Sequence, residues 1–402
     1  MNIIIIGAGA AGCFAAIEIK RRYTDANVTV LERGSKALAK VAITGGGRCN
    51  LTNSFDDVKS LEQVYPRGYR LMKKLLHHFS HKDAYRWFED EGVRLVTQED
   101  NCVFPQSQNA MEIVNTLLSL MQRHGVKLVT NCTVNSIKAT DNGYDIKTTT
   151  GIWSAEKVIV ATGGQPRITG FSILRNLNVK IVEPVPSLFS LCISDKKLTA
   201  LMGTVVEKAQ VSLAGTKQKG DGALLITHWG ISGPATLRLS SVAARLLAEK
   251  EYRNIDVAIN WMYGMSNADI TAMINSFCKL NMLKKMASVY PEQLNARLWA
   301  YLLQRASIST EARWGELQSK GMNRLLNTLT NDTYRITGKN RFKDEFVTCG
   351  GVALTSLKSD TLESKQHPGL FFAGEVTDVD AVTGGFNLQA AWTMAMAVAK
   401  GI

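Results

Sequence analysis

Gly7, Gly9 and Gly12 stand in a G-x-G-x-x-G spacing, and Glu32 follows twenty residues after the last of them. Glycines so spaced serve the binding of a dinucleotide. The first permits a tight turn, the second lets a diphosphate lie against the backbone, and the third lets a helix pack closely on a strand. The diphosphate rests on free N–H groups at the helix N-terminus, and the acidic residue accepts hydrogen bonds from a ribose diol while repelling a 2′-phosphate. A second group is Thr44-Gly45-Gly46-Gly47-Arg48-Cys49-Asn50, with Thr52 and Asn53 beyond it and Lys40 before it. Three successive glycines suit a backbone that passes closely over a flat or charged ligand, and Lys40 and Arg48 add fixed positive charge. The other reading of this stretch is a flexible surface loop. A third group, Thr383-Gly384-Gly385-Phe386-Asn387-Leu388-Gln389, precedes an apolar run and offers free N–H groups at a helix start. Cys49 reads either as a thiol activated by Arg48 or as a small packing residue, and His228 either as a general acid or as a loop histidine held by hydrogen bonds.

The elements that must position these residues are legible around them. Ile3-Ile4-Ile5-Ile6 is a β-branched run of the kind buried on both faces of a parallel sheet. A helix from Ala10 to about Arg22 and a strand Val28–Leu31 complete the first unit, with Ala15 and Ala16 where helix and sheet must approach closely. Tyr65 to Gly92 and Ala110 to His124 have helical apolar spacing, the latter ended by Gly125. Val126–Thr133 reads as a strand, and Val134–Ile137, Tyr144–Thr149 and Ile152–Ala155 as a meander. Lys157–Val160 then runs as a buried strand into Ala161-Thr162-Gly163-Gly164, a strand-end turn that recurs in FAD-type Rossmann domains. From about Pro186 short alternating strands dominate, and 267–331 is helical. Gly369–Glu375 returns to a strand ended by a glycine turn, and Ala390–Ala399 is a last apolar helix. A helix of this kind can point its N-terminus at a flavin's pyrimidine edge and stabilise the reduced ring.

The bulk properties narrow the class. The 402 residues are 45% hydrophobic and 20% charged, ordinary for globular domains. No apolar run is long enough to span a membrane, and the chain opens directly on a strand, so a cytoplasmic protein with no membrane partner is expected. Seven scattered cysteines without a C-x-x-C point to a reducing compartment, and neither they nor the six histidines show metal-ligand spacing. His77, His78 and His81 read as surface residues. The net charge of +12 is compatible with chance or with an anionic partner, RNA among them.

Five ordered stretches resemble one family over almost the whole chain. They are Lys40 with Thr44–Asn53, Thr227–Pro234, Thr348–Val352, Glu363–Lys365, and Pro368–Glu375 continuing to Gln389. In these the chain is similar to the BaiN-like NAD(P)/FAD-dependent oxidoreductases. The resemblance implies an α/β fold: a Rossmann-type FAD-binding domain carrying an inserted β-barrel-like domain and a small helical domain. The FAD domain would comprise 1–188 and 345–402, the β-rich domain 189–264 and 332–344, and the helical domain 265–331. It implies FAD contacts from Gly7, Gly9, Ala10, Ala11 and Gly12, from Glu32 and Arg33, and from Lys40. Gly45, Gly46, Gly47, Arg48, Cys49 and Asn50 would follow, then Val134 as a clamp on adenine and the turn Ala161, Thr162, Gly163. The C-terminal contributions would be Gly374, Glu375, Asp380, Gly385, Phe386, Asn387 and Leu388. The chain departs from the family pattern at Thr44 (usually Ser), Leu362 (usually Met) and Ala381 (usually Gly), and its passage through Gln165–Gly170 is shorter than usual.

The chemistry expected is FAD-dependent oxidation and reduction, with NADPH or NADH as a transient reductant, since no second G-x-G-x-x-G unit is present. The family favours reduction of an activated double bond in a small molecule. Uracil reduction in rRNA and amine oxidation with oxygen are the alternatives. Arg48, Cys49, Lys40 and His228 are the catalytic candidates, and no metal is expected.

Overall fold

The computed structural model describes residues 1–165, 167–340 and 347–402. Contacts group the chain into two compact units, Met1–Val185 with Val347–Ile402, and Pro186–Phe346. The residues around the expected boundary at 344/345, and Pro166 in the short passage after Gly164, lie outside the described residues.

The first unit is built on β1 (Asn2–Ile6), α1 (Ala10–Arg22), β2 (Asn27–Leu31), α2 (Ala39–Gly47), β3 (Lys127–Val129), β4 (Lys157–Val160), β5 (Leu370–Phe372) and α3 (Phe386–Gly401). The five strands form one parallel sheet in the order β5-β4-β1-β2-β3. Ile3 to Ile6 occupy its centre, each at most 4% exposed. Burying an Ile side chain contributes about 1.5–3 kcal/mol, so this run anchors the sheet from both faces. The edge strand comes from the C-terminal part of the chain, with Val158 beside Leu370 and Val160 beside Phe372. Ala15 and Ala16 are fully buried, as the close helix–sheet packing requires. α3 packs on α1 and is apolar and buried almost all round, the pattern of a core helix. Phe14 of α1 and Trp392 of α3 meet in an aromatic cluster with Trp87, the ring centroids of Trp392 and Trp87 lying 5.5 and 4.6 Å from that of Phe14.

α3 begins at Phe386 with Gly385 as its N-cap at φ 88°, at the Gly-Gly pair where the helix start was expected and ahead of the apolar run from Ala390. One local expectation shifts. The glycine stretch is not wholly a loop: α2 runs into it and breaks at Thr44 (ψ 150°), after which Gly45 and Gly46 are left-handed. The expected meander is present as Val134–Thr140, Gly143–Thr148 and Gly151–Ala155. The short passage after Gly164 continues into a 3-10 segment, Ile168–Leu177.

In the second unit six antiparallel strands close a barrel in the order Leu191–Ile193, Gly230–Ser232, Lys219–Thr227, Val205–Leu213, Ile255–Asn260, Asp332–Lys339. Helices Asn267–Leu280, Ala296–Arg305 and Ser319–Thr330 follow the fifth strand. One apolar cluster runs from the barrel interior (Val211, Ile226, Ile259) to Trp299 and Trp314 among these helices. Among the described residues no helix is long and apolar enough to cross a membrane.

Candidate functional site

The turn between β1 and α1 admits little but glycine at two positions. Gly7 has φ 106°, and a Cβ there would stand 2.5 Å from the Ala161 carbonyl oxygen. A Cβ on Gly12 would stand 2.0 Å from the Gly7 oxygen. Gly9 differs: a Cβ would meet nothing within 4 Å, so the space before it is open. α1 has no side-chain cap and no acidic residue in its first turn, which leaves its N-terminal N–H groups for an anion. Ala10 and Ala11 form that first turn, and Ala11 is buried.

Glu32 follows the end of β2. Its Oε2 accepts from Ala8 N at 2.9 Å and its Oε1 from Gly34 N at 2.7 Å. The carboxylate is thereby fixed beside the turn, each oxygen keeping a second lone pair for a ribose hydroxyl. Arg33 is exposed next to it. Cys132 N donates to the Glu32 carbonyl (2.8 Å) and Asn131 N to the Gly34 carbonyl (2.9 Å), which ties the segment entering Val134 to the same corner.

The glycine stretch curls left-handed through Gly45, Gly46, Gly47 and Cys49, with φ of 58°, 70°, 84° and 62°. Gly46 and Gly47 face open space, while Gly45 is closed off by Asn50 N and the Phe104 ring at 2.9 and 3.0 Å. Arg48 lies over that ring at 4.5 Å and donates to the Gly45 carbonyl at 3.1 Å. Cys49 is fully buried, and burial pushes its thiol up to about 12, against a lowering hydrogen bond with Thr44. Asn50 joins this stretch to α3: with its amide oriented to satisfy both groups, it donates to Thr52 O (3.0 Å) and accepts from Gly385 N (3.2 Å).

Thr162 and Gly163 close β4, with Gly163 left-handed at φ 73°. A Cβ on Gly374 would come within 3.0 Å of the Ala11 Cβ, so the β5 turn sits against the start of α1. Glu375 Oε1 accepts from Thr348 N at 2.8 Å and lies 3.4 Å through Oε2 from Lys40 Nζ. Lys40 is 63% exposed, and such a pair is worth at most about 1 kcal/mol, so this lysine is not there for stability.

At the start of α3, Asn387 clamps Ala381, accepting from its N at 2.9 Å and donating to its O at 3.0 Å. Phe386 is buried and Leu388 partly so. Asp380, which the family resemblance makes a cofactor contact, is 1% exposed and ion-paired to Arg67, Nε to Oδ1 being 2.6 Å. Its charge is met by the protein itself.

The first unit thus holds together the turn after β1, Glu32, the glycine stretch, the turns after β4 and β5, and the start of α3. His228 belongs to the second unit, exposed in the turn after Lys219–Thr227, its ring 4.3 Å from that of Trp229. Tyr65 escaped sequence reading as a supporting residue: its OH donates to the Phe386 carbonyl (2.9 Å). Thr52 and Asn53, singled out with the glycine stretch, donate to Gln389 (2.6 Å, both buried) and to the Gly384 carbonyl (3.0 Å), partners the sequence did not indicate. Their partners lie more than 300 residues away, and no local pattern signals such pairs.

The open face at Gly9, the uncapped α1 and the open space at Gly46 and Gly47 fit a dinucleotide with a flat ring, such as FAD. The comparisons agree. The family described as the HI0933-like protein Rossmann domain matches residues 1–401. A 3-dehydro-bile acid delta(4,6)-reductase of Clostridium scindens is 27% identical, over 98% of this chain and 97% of its own. A ribosomal RNA dihydrouridine synthase of Haemophilus influenzae is 28% identical, over 99% and 98%. Among solved structures, an E. coli quinol fumarate reductase variant shares the fold at TM-score 0.51 and 13% identity, over 100% of this chain and 69% of that one. A 3-ketosteroid-delta4-(5alpha)-dehydrogenase from Rhodococcus jostii does so at TM-score 0.50 and 14% identity, over 99% and 95%. The chain belongs to the HI0933-like Rossmann family and is an FAD-dependent oxidoreductase.

Proposed function

We propose that the enzyme reduces a carbon–carbon double bond conjugated to a carbonyl group in a small molecule, with NADPH or NADH as the electron source. The observation that carries this reading is the pair of full-length relatives named as a delta(4,6)-reductase and a dihydrouridine synthase. A 3-oxo steroid with 4,6-unsaturation and a uracil ring are both conjugated enones or enamides, and both names describe saturation of that bond.

Bound FAD supplies hydride acceptance and donation. The residues of this chain bind and orient it. The α1 N-terminus and Gly9 receive the diphosphate, Glu32 the adenosine ribose, and the left-handed backbone of Gly46 and Gly47 the face of the ring. Val134 clamps the adenine, and Gly374 with the start of α3 holds the far end. Lys40 and Arg48, both cationic and neither buried, offset negative charge that develops on the ring. Cys49, protonated and buried, supports the loop by packing. A nicotinamide nucleotide has no second fingerprint and binds transiently.

A uracil in RNA is the second reading, favoured by the two relatives named as ribosomal RNA dihydrouridine synthases and by the +12 charge. The test is single-turnover oxidation of the reduced holoenzyme by a conjugated steroid enone or by unmodified rRNA. Reoxidation by the enone, with a product two hydrogens heavier, supports the first reading. Reoxidation by RNA alone replaces it with the second.

A further inference from the structure

The second unit carries most of the chain's excess charge: 21 Lys and Arg against 13 Asp and Glu in Pro186–Phe346, a net of +8 out of +12. Within it lies a cavity of about 440 Å³ lined by Asp195, Lys196, Lys197, Tyr301, Gln304 and Arg305. Three of the six are cations and two are neutral hydrogen-bonding groups. The single acid is engaged with its own turn: Asp195 Oδ1 caps Lys197 N (2.8 Å) and Leu198 N (3.0 Å), and Oδ2 lies 3.4 Å from Tyr301 OH. The backbone of this short helical turn is thus consumed, and any ligand must be held by side chains.

The cavity floor is held by a buried polar chain. Tyr301 OH bonds Tyr334 OH at 2.9 Å, and Tyr334 OH donates to Asp332. Asp332 also accepts from Trp261 Nε1 (3.1 Å) and from Arg305 Nε (3.0 Å) and Nη2 (2.6 Å). Asp332 is 4% exposed. An apolar replacement of such a buried pair is often as stable, so stability alone is a weak reason to keep it. What the chain of bonds does is hold the Arg305 guanidinium in one orientation through Nε and Nη2, which leaves Nη1 for a ligand. Among the described residues, Arg305 Nη1 and the ammonium groups of Lys196 and Lys197 have no protein partner.

We propose that this cavity is a binding site for a phosphate-type anion, held by Lys196, Lys197 and Arg305 with Gln304 as a neutral partner. One free edge of an oriented guanidinium and two mobile ammonium groups give separate charged donors that suit a multiply charged oxyanion better than a single carboxylate. The phosphate can belong to a free phosphorylated metabolite or to a polynucleotide backbone, and the site stands independently of which bond the flavin reduces.

The test uses the FAD-loaded full chain, so that the dinucleotide site is already filled. Two probes are titrated: inorganic pyrophosphate by calorimetry and a short fluorescein-labelled oligouridylate by anisotropy. The Lys196→Gln/Lys197→Gln variant should lose about tenfold or more in affinity, with Gln304→Glu losing at least as much. Both changes fall on exposed side chains, so folding should be retained. Lys217→Gln/Lys219→Gln removes the same charge from exposed positions elsewhere in the unit and should lose little. Pyrophosphate binding identifies a free phosphate ligand, and oligouridylate binding without it identifies a polynucleotide; either outcome supports the site. Failure of both probes to bind, or an equal loss in the control pair, overturns it. The visible flavin spectrum should stay unchanged throughout, which separates this site from the dinucleotide site.

Discussion

Gly9 is the residue at which ligand binding and folding separate. Its φ of −86° suits any L residue, and the space before it is empty of protein. Gly9→Ala should therefore leave the melting temperature of the FAD-free protein nearly unchanged, yet weaken FAD by about tenfold or more, because the methyl group stands where the diphosphate rests. Equal FAD affinity in that variant, measured by fluorescence titration, would remove the diphosphate from this turn. Gly7→Ala should behave in the opposite sense. Its φ of 106° and the 2.5 Å approach to Ala161 O make it a folding defect of about 2–4 kcal/mol, seen in denaturant unfolding. Cys49 has a pH signature. Burial raises its thiol to about 12, so at pH 8 only about one part in ten thousand is thiolate. Alkylation by iodoacetamide at pH 8 should be about a thousandfold slower than for a free cysteine, and rapid labelling would restore the activated-thiol reading. The sign for stability follows: the folded state holds the proton more tightly, so this contribution is complete below the ordinary thiol value near 9 and is lost as pH rises toward 12.

At the level of elements, the start of α3 is assembled from distant parts of the chain. Asn50, Thr52, Asn53 and Tyr65 reach it from before residue 70, and Asp380 beside it is locked to Arg67. Arg67→Ala removes the ion pair of a carboxylate that is 1% exposed and should cost about 3–5 kcal/mol in urea unfolding. A loss below about 1 kcal/mol would mean that water reaches Asp380. The start of α3 was legible in the Gly384-Gly385 pair, although its N-cap is a glycine without any Ser, Thr, Asp or Asn capping signal, while the partners that reach it were not. The Rossmann half was legible for the converse reason. Its information is local: four consecutive isoleucines, three spaced glycines and an acid at the strand end. The glycine stretch after Lys40 was legible in composition but not in shape, since left-handed backbone at Gly45–Gly47 follows equally from a loop or from a broken helix. Arg48 lies against Phe104 beside this stretch, and Arg48→Ala should lower the flavin midpoint potential by about 20 mV at most, the scale of one exposed charge. An unchanged potential would take Arg48 out of that role.

Across the whole molecule, the barrel and its helices were visible only as a change of texture after Pro186. Strand alternation marks such a region, but barrel closure depends on pairings such as Leu191 with Lys339, which no short window contains. The charge excess is likewise visible as a total, whereas its concentration in Pro186–Phe346 emerges only once the units are known. The central claim is that the dinucleotide corner of the first unit holds an FAD that takes electrons from a nicotinamide and passes them to a conjugated double bond. The most direct measurement is an anaerobic titration of the purified holoprotein with NADPH and then NADH, followed through the visible flavin band. Rapid bleaching by one of the two is the expected result. A band that responds to dithionite but to neither nucleotide would contradict the nicotinamide link and place the electron source in an organic donor or a partner protein.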